Sequence, residues 1–364
     1  MNIFTGHPRA RWAVPGLAVL ALGASAVLVS ADASEPLPPR TAAQLLADVQ
    51  QAKVAAFSGT VVQSANLGLP DLGGLLGRGG SADLSGLIAG SHTLRVWYAG
   101  PTRVRLALLG DLGESDVIRR DKDVWIWSSA AKTANHFTLP AGHDLAEPPK
   151  LPVTPADAAE QALAAVSPTT TVTTEGSAVV AGRTAYELVL TPKAKDGTLV
   201  RSVRIAVDGE TKLPLRVQVN STKITDPALE VGFTSVDFST PEDRQFTFTP
   251  PPGTTVTEGA AGLGQHAPGQ GQPRRPELPS GKDQAKPTST GTGWSRVVVV
   301  TLPPGAADNE SVQGVLDRLP KVSGSWGSGR LFAGTLVSAV LTDDGRLAAG
   351  AVPPERLYAA LARS

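Results

Sequence analysis

The segment VRSVRIAVDGETKLPLRVQV, residues 200–219, alternates apolar and polar side chains on both sides of Asp208-Gly209. Val203, Ile205 and Val207 interleave with Ser202, Arg204 and Ala206, and Leu215, Val217 and Val219 interleave with Arg216 and Gln218. A period of two buries one set of side chains only if the chain is extended, so the segment predicts two antiparallel strands with one apolar and one solvated face. The same alternation recurs in FSGTVVQS (57–64), SHTLRVWYAG, TRVRLALLG, SDVIRR, DVWIWSS, NHFTLP, TVTTEG, AVVAGRTAYELVLTP and LEVGFTSVDF. Gly100-Pro101, Gly110-Asp111 and Asp121-Lys122-Asp123 punctuate these runs at hairpin spacing, which predicts a meander of about ten strands. Only two helices are expected in this part, TAAQLLADVQQAKVAA (41–56) with Thr41 as cap, and TPADAAEQALAAV (154–166) with Pro155 in its first turn.

A meander of that length cannot stay flat, because neighbouring strands twist by about 20–25° and the sheet must curl or close. Two short helices leave part of such a concave face uncovered, which predicts either a hollow lined by apolar side chains or a sandwich core that side chains fill. The alternation names the candidate lining as Leu94, Val96, Leu106, Leu108, Val203, Ile205, Val207 and Val217, with Trp125, Ile126 and Trp127 added because both faces of their strand are apolar. Arg103 and Arg105 alternate with Val104, Leu106 and Leu108, so the arginines are expected in solvent. An apolar hollow is suited to a lipid or an acyl chain, since burial contributes about 25 cal/mol per Å².

Several other chemistries find no support. Lys and Arg number 33 and Asp and Glu number 33, so no bulk field draws the chain to nucleic acid. The absence of cysteine removes disulfides, thiolate metal sites, a Cys nucleophile and a lipid-bearing Cys. Ser129-Ala130-Ala131-Lys132 fits S-x-x-K but falls at a hairpin turn, without a companion K-T-G. GRGGSA (77–82) fits G-x-G-x-x-A without the strand before it and the helix after it that a phosphate cradle needs. The histidines have no ligand spacing, and His92 and His136 are expected on neighbouring strands as ordinary sheet residues. No catalytic residue, metal site or cofactor is expected.

The chain divides unevenly. Residues 1–33 carry Arg9 and Arg11, an apolar run from Trp12 to Val29 and Ala31-Asp32-Ala33, a pattern of either a secretory signal cleaved near Ala33 or an uncleaved anchor; both make the rest extracytoplasmic. The main domain spans 34–252. Within it, residues 66–90 mix Leu69, Leu72, Leu75, Leu76, Leu87 and Ile88 with many glycines, which predicts a mobile apolar flap. Residues 253–293 are rich in Gly and Pro and read as a disordered linker. Residues 294–364 read as a small α+β domain: strand WSRVVVVTL, helix ADNESVQGVLDRL, a hairpin turning at Asp343-Asp344-Gly345, and helix PPERLYAALAR.

The ordered set VWYAGPTRVRLALL, DKDVWIWSSAAKTANHFTLP, VAGRTAYELVLTP, VDGETKLPLRVQV and FTFTPPPGTTV resembles the LolA-like superfamily, nearest its MucB/RseB branch of sigma-E regulators, over roughly 41–256. The resemblance implies a mainly β fold with some α: a half-open curved antiparallel barrel with helices plugging its mouth, followed by a small C-terminal domain. It implies a non-enzymatic envelope protein that binds a lipid or lipoprotein acyl chain and meets a membrane surface. It equally implies a sensor that contacts an anti-sigma factor or another envelope protein through the C-terminal domain. Two departures stand out, a flap longer and richer in glycine than the classical carriers have, and the lack of a lipobox cysteine.

Overall fold

A computed structural model describes residues 37–68, 90–110, 113–139, 154–156, 159, 169–193, 197–260, 287–303, 305 and 310–364. The alternating runs become strands β1 (Phe57–Ala65), β2 (Gly90–Tyr98), β3 (Arg103–Gly110), β4 (Gly113–Arg120), β5 (Asp123–Ser128) and β6 (Thr133–Thr138). A second series follows: β7 (Thr170–Val180), β8 (Arg183–Pro192), β9 (Val200–Asp208), β10 (Pro214–Ser221) and β11 (Pro227–Asp237). Each series is a meander of hairpins. They join where β1 pairs antiparallel with β11, which gives the order β12-β6-β5-β4-β3-β2-β1-β11-β10-β9-β8-β7 in one sheet. The end strands are not paired with each other, so the curved sheet is half-open, the architecture expected from the alternation and from the family resemblance.

The twelfth strand corrects the linker boundary. β12 (Thr255–Ala260) lies inside the stretch read as linker, yet it pairs in parallel with β6, from Thr255 opposite Thr133 to Ala260 opposite Thr138. The main sheet therefore runs past 252 to 260. Gly and Pro density hides this strand from composition, because its hydrogen bonds go to a partner that only the fold supplies. Before it, residues 243–248 form a strap. A single 3-10 turn, Asp243–Phe246, buries Phe246 against Ala56, Ala99 and Trp97. Arg103 donates to Asp243 at 2.9 Å and Arg120 to Thr247 at 2.8 Å.

Helix α1 (Ala42–Gln51) starts on the expected cap: the Thr41 hydroxyl accepts from Gln44 N–H, and the Gln44 side chain accepts from Thr41 N–H at 2.9 Å. Leu45 is its buried anchor. The second expected helix, 154–166, falls mostly outside the described residues, as do residues 1–33 and the flap leucines.

The C-terminal part forms a separate sheet from β13 (Thr288–Thr290), β14 (Val297–Thr301), β15 (Lys321–Gly324), β16 (Gly327–Ala333), β17 (Ser338–Thr342) and β18 (Arg346–Gly350), in the order β13-β14-β18-β17-β16-β15. Helices α2 (Glu310–Leu316) and α3 (Pro354–Leu361) accompany it, and Leu357 and Leu361 of α3 pack on Val297, Val340 and Ala348. The β17–β18 hairpin turns at the expected Asp343-Asp344-Gly345, where Gly345 takes a φ of +86° that side chains rarely adopt. β13, like β12, lies inside the stretch 253–293 read as linker.

This second sheet packs on the first. Leu199 N–H donates to Ala351 O at 2.8 Å, the Ser221 hydroxyl to Thr335 O at 2.7 Å, and Lys223 Nζ to Gly334 O at 2.8 Å. Thr335 N–H donates to Leu67 O at 2.9 Å, and Trp294 Nε1 to the Thr170 hydroxyl at 2.9 Å. Backbone bonds of this kind fix a relative orientation, in contrast to the freely tethered module that the linker composition suggests.

Candidate functional site

Residues opposite one another on adjacent strands share a face, so register assigns every candidate. Val96, Leu106, Val117 and Ile126 form one row across β2 to β5. Val61, Leu94 and Leu108 form the next. On the other side of β1 the same face continues through Phe233 and Val231 to Val217, Ile205 and Leu188, with Val219, Val203 and Leu190 beside them and Val207 opposite Pro214 and Tyr186. Nine of the eleven sheet residues expected to line a hollow therefore lie on one apolar face, Ile126 among them.

Trp125 and Trp127 do not. They lie on the reverse face, which corrects their place among the lining residues. Trp125 stacks on His136 at 4.2 Å, and both tryptophans meet Phe248 of the strap. Their strand is apolar on both sides because the strap covers its reverse face, a partner the local pattern does not announce. His92 and His136, expected on neighbouring strands, stand on β2 and β6 with three strands between them and on opposite faces. His136 Nδ1 lies 2.8 Å from Glu258 of β12.

Burial divides the apolar face. Val203, Ile205, Val207, Val217, Leu94, Val96 and Leu108 are sealed, whereas Leu106, Val117 and Ile126 are half-buried. The accessible part of the face thus includes the middle row of β3 to β5. The row beside it toward the strand ends is aromatic and aliphatic: Phe57 and Tyr98, stacked at 5.4 Å, then Val104, Arg119, Val124 and Phe137. Val117 and Arg119 escaped the sequence reading, although the parity of Asp116 and Ile118, once paired with β3, reveals them.

The reverse face of the same strands carries Trp97, Arg105, Ile118 and Trp125 in one row and Arg95, Ala107, Asp116 and Trp127 in the next. Arg105 was expected in solvent; instead its guanidinium stacks over Trp97 at 5.2 Å and pairs with the Asp116 carboxylate. Burial pushes the Asp116 carboxyl up to about 7, the neighbouring Glu114 acts in the same direction, and Arg105 opposes them without prevailing. Asp116 Oδ1, Arg105 Nε and Trp127 Nε1 are buried without a hydrogen-bond partner among the described residues. Ser129 of the S-x-x-K match sits in the β5–β6 turn, where its hydroxyl accepts from Glu114 N–H at 2.7 Å. Among the described residues no group of His, Asp and Glu is arranged to hold a metal ion.

The class defined by this geometry is a half-open curved antiparallel sheet with one apolar face, carrying a small docked α+β sheet. No protein-family model matches the chain. No curated protein matches it either. Solved structures similar to it include MucB and LolA-superfamily proteins. The MucA/MucB complex of Pseudomonas aeruginosa matches at 18% identity and a TM-score of 0.42, over 88% of this chain and 96% of that one. A LolA-superfamily protein of Nitrosomonas europaea matches at 10% identity and 0.21, over 58% and 99%. LprF of Mycobacterium bovis matches at 10% and 0.29, over 59% and 98%.

Proposed function

We propose that the chain is an exported, non-catalytic protein that binds the acyl chain of a lipid or lipoprotein on the apolar face of its large sheet. The observation that carries this reading is the half-buried row Leu106, Val117 and Ile126, which continues into the half-buried Phe57, Tyr98, Val104 and Phe137 beside it and borders the sealed Leu94 and Leu108, on a sheet that does not close. A core serving packing alone would seal its middle row, because each aliphatic left half-buried forgoes part of the roughly 1.5–3 kcal/mol that full burial contributes. The N-terminal signal-like pattern and the LolA-like motifs support the same reading. A fluorescent fatty-acid probe tests it: Ile126→Lys and Leu106→Lys should lose binding while circular dichroism reports a folded sheet. Undiminished affinity in such folded variants would overturn it.

A second reading, contact with an anti-sigma factor or another envelope protein, is favoured by the C-terminal sheet. A groove of about 1010 Å³ opens there beside α2 and the edge strand β15, lined by residues that include Asp317, Lys321, Val322, Arg330 and Leu341. Its mixed polar and apolar lining suits an extended peptide. Pull-down of a candidate partner's external segment, lost on Lys321→Glu with Arg330→Glu, is the matching experiment.

A further inference from the structure

Arg119 stands on the apolar face. It is opposite Val104 on β3 and Val124 on β5, two residues along β4 from Val117 of the half-buried row. It is 8% exposed. Its Nε donates to Asp121 O at 3.1 Å in the β4–β5 turn, which draws the guanidinium to the end of the strand. Among the described residues it forms no ion pair. It is also the only Arg or Lys that β1 to β6 direct to this face, and these strands direct no Asp or Glu there. The partly buried arginines of the sheet differ from it: Arg103, Arg105, Arg183, Arg204 and Arg216 all pair with carboxylates.

A guanidinium removed from water without a counter-ion is costly, and a packing role would be met better by an aliphatic side chain of similar volume. Its planar fork is suited to two oxygens of a carboxylate or phosphate. Flanked by valines and adjacent to the half-buried row, such a charge fits the head of an amphiphile whose tail lies along Val117, Leu106 and Ile126. We infer that Arg119 is the anion anchor of the apolar face, and that the preferred guest is a single-chain or multi-chain amphiphile with an anionic carboxylate or phosphate head. This rests on the acyl-binding reading above and adds to it the charge of the guest.

Displacement of a fluorescent probe by palmitate, cetyl phosphate, cetyl alcohol and cetylamine tests the inference on the intact protein. Palmitate or cetyl phosphate should bind roughly tenfold more tightly than cetyl alcohol, a difference of about 1.4 kcal/mol. Added salt should erode that preference and leave alcohol binding unchanged. Arg119→Gln should remove the preference while keeping alcohol affinity, and Arg119→Lys should restore part of it. Tighter palmitate identifies a carboxylate guest and tighter cetyl phosphate a phosphate guest, and either result supports the anchor. Equal affinity of wild-type protein for anionic and neutral chains overturns the anchor and leaves acyl binding standing. Failure to bind any of the four overturns both. These wild-type comparisons decide the matter even where Arg119→Gln fails to fold.

Discussion

Asp208 and Asp116 are both aspartates held against arginines in one continuous sheet, and the two halves of the molecule treat them in opposite ways. At the end of β9, Asp208 accepts from Arg183 at 2.6 and 3.0 Å, from the N–H and hydroxyl of Thr211 at 2.8 Å, and from Glu210 N–H at 3.2 Å. Burial alone would raise its pKa, but these donors more than offset that and hold the carboxyl below its ordinary range. Asp116 of β4 is as deeply buried, has one arginine and a neighbouring Glu114, keeps an unpartnered Oδ1, and is pushed up to about 7. The same division runs through the rest of the sheet. The β7–β11 half seals Leu188, Leu190, Val203, Ile205, Val207 and Val217 and ties Arg204 and Arg216 to Glu187 on the reverse face. The β2–β6 half leaves Leu106, Val117 and Ile126 half-buried and strains its reverse face with unpaired polar atoms. One half is built for stability, and the other stores the imperfections that binding sites carry.

The contrast can be broken most forcefully by placing the same charge on both halves. Ile205→Lys inserts an ammonium at a position with 0% exposure and should unfold the domain, an effect of several kcal/mol, whereas Ile126→Lys on the half-buried row should leave a cooperative thermal transition in place. Comparable unfolding by both would erase the distinction between the halves. Next in size is Arg183→Leu, which leaves the buried Asp208 without its cation and should lower stability by about 3 kcal/mol in urea titrations at neutral pH. Because the Asp208 pKa is depressed, this pair contributes above the ordinary carboxylate value of 3.8 and is lost as pH falls through the lower folded value, so the deficit of the variant should shrink in acid.

Asp116 should show the reverse pH dependence. Its folded pKa is raised from 3.8 to about 7, so its contribution is complete below the unfolded value and disappears as pH rises through the folded one. Asp116→Asn is expected to stabilise the protein by about 1–3 kcal/mol on the alkaline side and to have little effect in acid. Denaturant midpoints at about pH 4 and about pH 8 read this directly, and a variant less stable at the higher pH would show that the Arg105 pair dominates after all. The smallest effect belongs to the outer edge of the sealed half. Val179 on edge strand β7 is 65% exposed, and Val179→Ser should change stability by no more than about 0.5 kcal/mol.

Much of the fold could be read locally. Val203, Ile205, Val207 and Val217 declare their face within their own strands, Thr41 with Gln44 declares the start of α1, and Asp343-Asp344-Gly345 declares a hairpin, because period, cap and turn are short-range properties. The apolar face was legible for the same reason in all but its densest strand. At Trp125, Ile126 and Trp127 alternation carries no polar side, so the choice of face belongs to whatever covers the strand, and that is Phe248, more than a hundred residues later in the chain. β12 is a similar case: nothing in TVTEGA demands a strand until β6 offers a free edge.

The sequence by itself determined the strands, their parity and the turns between them, since each depends on neighbours a few residues apart. The tertiary structure decided which parities merge into one face, which arginines find carboxylates, and which row stays half-open. Arg119 and Arg105 illustrate the reason. Two arginines in similar alternating strands differ in what the adjacent strands bring within reach: Asp116, diagonal to Arg105 and opposite Ala107, for one, and Val104 and Val124, directly opposite, for the other. Charge pairing is a property of register, and register is settled when distant strands meet.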